Sequence, residues 1–225
     1  MRFIDKTETC SEFETYIADN KAHLGKWNLP TDIKNTLHNH ILKQQKGLCI
    51  YCQQWLFEKK EAELLPPSMV EHIRPRKKRP ELTYEFTNLA VACKKYIDKK
   101  GVKDTKILTP EDIDFCEDKK DDEYDETLFL HPHEITDIED YFEYDTEGKI
   151  FAKDKNEFAK DRNEKAQYMI EIALNLNHRD LQNMRKIQLD IYAERDLFEV
   201  IEELNDIDVS RLPKFYSMLK QFYQV

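Results

Sequence analysis

The 225-residue chain contains only four glycines, and no Walker-type loop is among its motifs, which excludes a glycine-rich phosphate cradle. No apolar run approaches the roughly 20 residues that a membrane-spanning helix requires. The opening residues, Met1-Arg2-Phe3-Ile4-Asp5, lack the apolar stretch of a signal peptide, so a cytoplasmic protein without membrane attachment is expected. Five cysteines form an odd set, and in a chain without secretory features they favour thiols or metal ligands over disulfides. Internal repeats are absent. What the chain has in quantity is charge: 36% of residues are charged against 40% hydrophobic, with a net charge of −10. That balance describes a soluble chain long enough to bury a substantial core, as one domain or two small ones.

The acidity is unevenly spread. Residues 71–106 hold eleven Lys/Arg against five acids, a net of +6, while residues 111–126 hold ten acids against Lys119 and Lys120, a net of −8. A run such as Arg74-Pro75-Arg76-Lys77-Lys78-Arg79, with Lys94, Lys95, Lys99 and Lys100 downstream, is suited to phosphate contacts, because closely spaced cations release counterions when a polyanion binds. An isolated basic run is also a common solvated surface loop. The acidic segment reads as an exposed or disordered insertion that could shield the basic site or dock on a basic partner.

Three residue patterns share the basic region in a fixed order. A Cys49-Ile50-Tyr51-Cys52 knuckle comes first, then Glu71-His72-Ile73-Arg74-Pro75, then Asn88-Leu89 followed by Cys93. Hydrolysis of a phosphodiester needs an activated water, a cation on the phosphate and positive charge to hold the polyanion. His72 can take a proton from water, since imidazole titrates near neutrality. Glu71, with a later ligand, can seat a hard Mg²⁺ or Mn²⁺ ion. Through its amide Asn88 can fix the His ring or the loop, and Cys49, Cys52 and Cys93 can clip the motif together through zinc. Taken singly, each feature has a plainer reading: a redox pair, a polar pair on a surface strand, and a turn or capping residue.

In that order the motifs resemble the HNH endonucleases, with Lys100-Gly101 falling where the family pattern usually closes. Tyr141-Phe142, Gly148-Lys149-Ile150, Ile172-Ala173-Leu174-Asn175-Leu176-Asn177, Leu181 and Arg185 are similar to the C-terminal signature of the HNH subunits of retron- and Septu-type antiphage systems. The resemblance implies a ββα-metal nuclease that acts on DNA or RNA beside an ABC-type ATPase subunit in bacterial defence. It makes His72 the general base, Asn88 the orienting residue and Glu71 a catalytic-metal ligand, while Asp98, one position beyond the family's ligand position at Ile97, could serve as the other if the helix register shifts slightly. The chain departs from the pattern where a second Cys-x-x-Cys should stand: it has Cys93-Lys94-Lys95-Tyr96, then Ile97, which binds no metal. Cys116, His131 or His133 could substitute, but none lies at a diagnostic spacing. The zinc site therefore reads as incomplete, and the knuckle could be metal-free, with neighbouring helices supplying the packing that zinc would otherwise provide. Two other functions stay open: a catalytically silent HNH-like module that binds nucleic acid or a partner, and a redox or zinc-sensing regulator built on Cys49 and Cys52.

The expected fold is α+β and mostly helical, in four parts: an N-terminal helical segment 1–47, the motif 48–110, an acidic insertion and linker 111–157, and a helical region 158–225. Ser11 with Glu14 reads as a capping box. Thr31 opens a helix carrying Ile33, Leu37, Ile41 and Leu42 that ends near Gly47. Extended segments are expected around 69–73 and 84–91, with a helix from about 92. Ala166 to Leu174 repeat at helical spacing and Asn177 is placed to cap the next helix, which runs through Leu181, Ile187, Ile191, Phe198 and Leu204. Ser210 opens the last helix, whose Phe222 and Tyr223 could be core or a docking surface. His38, His40 and the His131-Pro132-His133 turn read as solvated.

Overall fold

The computed structural model describes residues 1–20, 25–58, 68–94, 115–153 and 160–225. Apolar residues at helical spacing build α1 (Ser11–Asn20) and α2 (Thr31–Gln44), which pack on each other and bury Phe13, Leu37, Ile41 and Leu42. The Ser11 hydroxyl donates to Glu12 instead of forming a capping box with Glu14. Helix α2 lies on an antiparallel hairpin of β1 (Ser68–His72) and β2 (Leu89–Cys93), registered with Ser68 opposite Cys93 and His72 opposite Leu89. Strand β2 reads Leu-Ala-Val-Ala-Cys and is buried along its whole length, as an apolar run without alternation requires. Where the sequence pattern predicts a helix from about 92, the strand continues to Cys93; residues 95–114 lie outside the described residues.

A second hairpin, β3 (Phe142–Tyr144) and β4 (Ile150–Ala152), turns through Gly148 at φ +76°, where an added Cβ would stand 2.3 Å from the Gln182 carbonyl. Residues of the C-terminal signature meet here. Asn177 pairs with both the amide and the carbonyl of Ile150, at 2.9 and 2.8 Å. The buried Arg185 guanidinium donates to the carbonyls of Gly148 and Leu176 at 3.0 and 2.8 Å. That signature thus serves as a joint between the hairpin and the helices.

The helical region is more broken than its periodicity suggests. After α4 (Lys160–Gln167) the chain widens into a π-helical turn, Tyr168–Ala173. His178, not Asn177, caps α5 (Arg179–Ala193), because the Asn177 amide is engaged by β4. The single long helix expected through Leu204 is two, since Asp196 accepts from the amides of Phe198 and Glu199 and starts α6 (Leu197–Asn205). The last helix, α7 (Tyr216–Tyr223), begins later than Ser210: Leu212 and Phe215 donate their amides to Lys46 and Gln53, and Pro213 lies between them. Not all of the apolar stripe is core, for Ile187, Ile191 and Phe198 are 57%, 52% and 73% exposed. Phe222 and Tyr223 pack on a small cluster formed by Leu48, Val200, Leu204, Leu212 and Leu219. The larger core gathers Phe13, Leu37, Ile73, Val91, Leu130 and Leu174, whereas α6 and α7 bury their apolar residues in the smaller cluster. Among the described residues the architecture is α+β with two small antiparallel sheets, and no described helix is long and apolar enough to cross a membrane.

Candidate metal centre and adjoining cleft

The knuckle is a tight turn stitched to β2. Leu48 bridges Trp55, the Cys49 amide donates to Gln54 O, and Gln53 closes the turn at φ +62° with its amide on Cys49 O. The Gln45 side chain, fully buried, donates to the carbonyls of Leu48 and Val91 and accepts from the Val91 amide. This clamp sets the end of β2 beside the knuckle, so Cys93 Sγ lies 3.6 Å from Cys49 Sγ and 3.7 Å from Cys52 Sγ.

A fourth sulfur completes the group. Cys116 immediately precedes α3 (Glu117–Lys120), is fixed by its amide to the Leu174 carbonyl, and is buried. The four sulfurs of Cys49, Cys52, Cys93 and Cys116 all lie within 4.8 Å of one another. In a tetrahedral site with metal–sulfur bonds of about 2.3 Å the sulfurs stand about 3.8 Å apart, so this spacing suits a thiolate-bound ion such as zinc and is far too long for a disulfide. The expectation of an incomplete set is thereby corrected: the missing ligand is replaced from beyond the motif, by a residue whose distance in sequence gives no spacing signal. Burial alone would push the Cys49 thiol up, but hydrogen bonds from Cys116, Cys52 and Cys93 hold it well below its ordinary value, while burial pushes Cys116 up. Four thiols crowded this closely share the lost protons unequally until a cation neutralises them all. Cys116 also takes φ +56° with ψ −124°, a conformation costing an L residue about 1–3 kcal/mol, which the surrounding contacts must outweigh.

Beside this centre, the end of β1 opens into a cleft of about 340 Å³ lined by Glu71, His72, Arg76, Glu117 and Asp121. His72 is 7% exposed, and its ring stands edge-on to Trp27 at 4.6 Å. Its Nε2 lies 2.9 Å from Thr83 O; a carbonyl only accepts, so Nε2 carries the proton and Nδ1 holds the lone pair. Among the described residues Nδ1 has no hydrogen-bond partner. Burial, reinforced by Arg76 and Lys120, lowers the imidazole to about 4, so it is neutral at physiological pH.

Asn88 does not touch the His72 ring. Its Oδ1 accepts from the Arg74 amide at 2.8 Å, and its Nδ2 donates to the carbonyls of Arg74 and Leu82 at 3.1 and 3.3 Å. It therefore closes the wide 73–88 connection between β1 and β2, of which it is the last residue, and fixes the loop that carries Thr83.

Glu71 meets a competing cation. Its Oε1 lies 2.7 Å from Lys120 Nζ and accepts from the Tyr51 hydroxyl at 3.2 Å. Burial raises its carboxyl, against the pull of Lys120. Among the described residues, the cysteines are the one group of three or more His, Cys, Asp or Glu close enough to share an ion. Asp98, the other expected metal ligand, lies outside the described residues, as do Lys95, Lys99 and Lys100; Lys94 is described and half-buried.

The basic loop is largely occupied. Arg74 forms a bidentate pair with Glu134 at 2.7 and 2.8 Å, Arg79 pairs with Glu81 and Glu126, Lys77 with Asp122, and Lys78 donates to Tyr124 O. Of these cations only Arg76 has neither a carboxylate nor a carbonyl partner among the described residues, and it faces the cleft. The acidic segment, expected as an exposed insertion, is over residues 115–126 a packed strap that buries Cys116 and Lys120 and neutralises the loop opposite. Two further corrections concern histidines. His38 is buried, with Nε2 2.8 Å from Ser68 Oγ. His131 and His133 are not a solvated turn: burial lowers them to about 4 and about 3, and neither Nε2 has a partner among the described residues. Comparison with protein-family models and with curated proteins finds no match.

Proposed function

We propose that the chain is a phosphodiester-hydrolysing nuclease of the HNH type, working in antiphage defence beside an ABC-type ATPase subunit. The observation that carries this reading is the state of His72, a residue that lines the cleft: neutral, its tautomer set by Thr83, its Nδ1 lone pair without a partner among the described residues. Neutral protonation, a fixed ring and an unpaired nitrogen are what a general base needs, and the negative phosphate of a bound substrate would raise the weak basicity that a pKa of about 4 gives the imidazole. In the reaction Nδ1 takes a proton from water as its oxygen bonds to phosphorus, the P–O bond to the leaving nucleotide breaks and that oxygen takes a proton from solvent, while Arg76 attracts the phosphate. Asn88 keeps the ring's anchor in place by holding the loop. The cysteine centre fixes the knuckle against β2 and α3 and takes no part in the chemistry. Exposed Ile187, Ile191 and Phe198 on α5 and α6 offer apolar surface for a partner subunit.

A silent nucleic-acid- or partner-binding module is the second reading, favoured by the Glu71–Lys120 pair and by the acids already seated on the basic loop. Cleavage of plasmid, single-stranded DNA and tRNA by wild type and His72→Ala, with and without the ATPase subunit, separates the two. Cutting that disappears in His72→Ala supports the nuclease; binding without cutting in both supports the module.

A further inference from the structure

The Glu71–Lys120 pair occupies the position where the resemblance would have a hard metal ion. Glu71 leaves β1 toward the cleft, and its carboxylate is 9% exposed; the Lys120 side chain is fully buried. Lys120 Nζ meets Glu71 Oε1 at 2.7 Å and the His72 carbonyl at 3.2 Å, with the Phe129 ring centroid at 5.8 Å. A Mg²⁺ or Mn²⁺ ion bound by Glu71 would need to sit about 2.0–2.2 Å from a carboxylate oxygen and gather further oxygen ligands and waters around it. Oε1 already faces an ammonium and a phenol. A buried carboxylate is stable with one compensating charge, and a dication added beside the ammonium would stand in repulsion with it.

We infer that Lys120 is a built-in cation that takes the place of a divalent ion at Glu71, making Glu71 part of a fixed ion pair instead of a metal ligand. This rests on the nuclease reading only for what the cation does in the reaction; the occupancy of Glu71 stands by itself.

The chain topology supports the assignment. Lys120 and Cys116 are four residues apart, joined by the Lys120 amide on Cys116 O at 2.8 Å, so one helical turn carries both the fourth sulfur and the ammonium. The turn that completes the cysteine centre thereby also delivers the positive charge under β1. Lys120 does not reach substrate. It is a positioning residue: it holds the His72 carbonyl, and through it the end of the strand on which the imidazole is mounted. Glu117, on the same turn, leaves its Oε2 buried without a partner among the described residues, which makes it the competing carboxylate to control for.

The test is a Mn²⁺ titration of the full chain followed by electron paramagnetic resonance, a readout independent of cleavage. Wild type, Glu71→Gln and Glu117→Gln are compared first. Lys120→Met and Lys120→Met/Glu71→Gln follow, with folding checked by circular dichroism. The expected result is equal Mn²⁺ affinity in wild type and Glu71→Gln, and a gain of at least tenfold in Lys120→Met that the double variant loses. A tenfold loss of Mn²⁺ affinity in Glu71→Gln relative to wild type would overturn the inference, as would a folded Lys120→Met that gains none. If Lys120→Met does not fold, the wild-type and Glu71→Gln pair decides alone. Lack of nuclease activity would count against the proposed function and would not alter the Mn²⁺ affinities on which this inference stands or falls.

Discussion

Replacing Cys116 with serine tests whether a residue far outside the Cys-x-x-Cys motif closes the metal centre. The hydroxyl keeps the volume but removes one of four soft ligands from a group whose sulfurs lie within 4.8 Å. Structural zinc contributes on the order of 10 kcal/mol to folding in small motifs, and even the outer-shell partners of a ligand cost about 10–100-fold in affinity when lost. Loss of a direct ligand should exceed that, so at least about 3 kcal/mol of the zinc contribution disappears. Cys116 is also held at φ +56°, a strain that the serine variant retains without the metal that helps to offset it. For a chain of this size 3 kcal/mol corresponds to a fall in Tm of roughly 6–12 °C. Zinc content by mass spectrometry and thermal unfolding by circular dichroism should show one zinc per chain in wild type. Cys116→Ser should show little zinc and the lower Tm, and Cys10→Ser, whose thiol lies outside the group, should match wild type in zinc content. Full zinc in Cys116→Ser, or a wild type that carries no zinc and whose Tm ignores a chelator, would refute the reasoning.

Three further outcomes are expected. His72 and His131 titrate at about 4 in the folded chain against 6.5 unfolded, so the unfolded state binds protons first; their contribution is intact above pH 6.5 and is lost as pH falls toward 4. Each should contribute about 3 kcal/mol by this linkage. Urea unfolding at several pH values should therefore show a smaller acid loss in a folded His131→Phe variant than in wild type, and equal slopes would count against it. Asn88→Ala removes three hydrogen bonds to the β1–β2 connection and should cost about 2–4 kcal/mol in urea unfolding, with Asn88→Asp close behind because it loses both donors. A change below about 1 kcal/mol would show that the loop does not depend on it. Neutralising the strap acids Asp122→Asn and Glu126→Gln together with Glu134→Gln frees Lys77 and Arg74 and leaves Arg79 with Glu81 alone, so nucleic-acid affinity should rise and its salt dependence steepen, as fluorescence anisotropy would report. Unchanged affinity would mean that these cations do not meet phosphate.

The sequence carries the site's local pieces well and its long-range closures poorly. Cys49, Cys52 and Cys93 do converge, and Glu71-His72 does end a strand that faces Leu89, because short gaps and a hairpin register leave the chain few alternatives. Asn88 holds the loop, one of the two roles its amide allows. Cys116 reads in the sequence only as one of several substitutes, since nothing in a 22-residue gap tells which thiol returns to the knuckle. Lys120 gives no signal at all: within an acidic stretch it reads as a solvated lysine, and only the fold shows it fully buried on Glu71. The same holds for the pairing between strap and basic loop, which net charge hints at but does not register residue by residue. Helix boundaries depart from the pattern where a tertiary contact outweighs periodicity, as when β4 claims Asn177 or Gln53 claims the amide of Phe215.

The central claim is that His72 is a general base, and the most direct measurement is single-turnover cleavage of a labelled nucleic acid by wild type and His72→Ala, in the presence of the ATPase subunit. With both proteins folded and carrying equal zinc, the account predicts cleavage by wild type and a loss of at least about a hundredfold in the variant with binding retained. Equal rates in the two proteins, or no cleavage by wild type on any substrate, would contradict it.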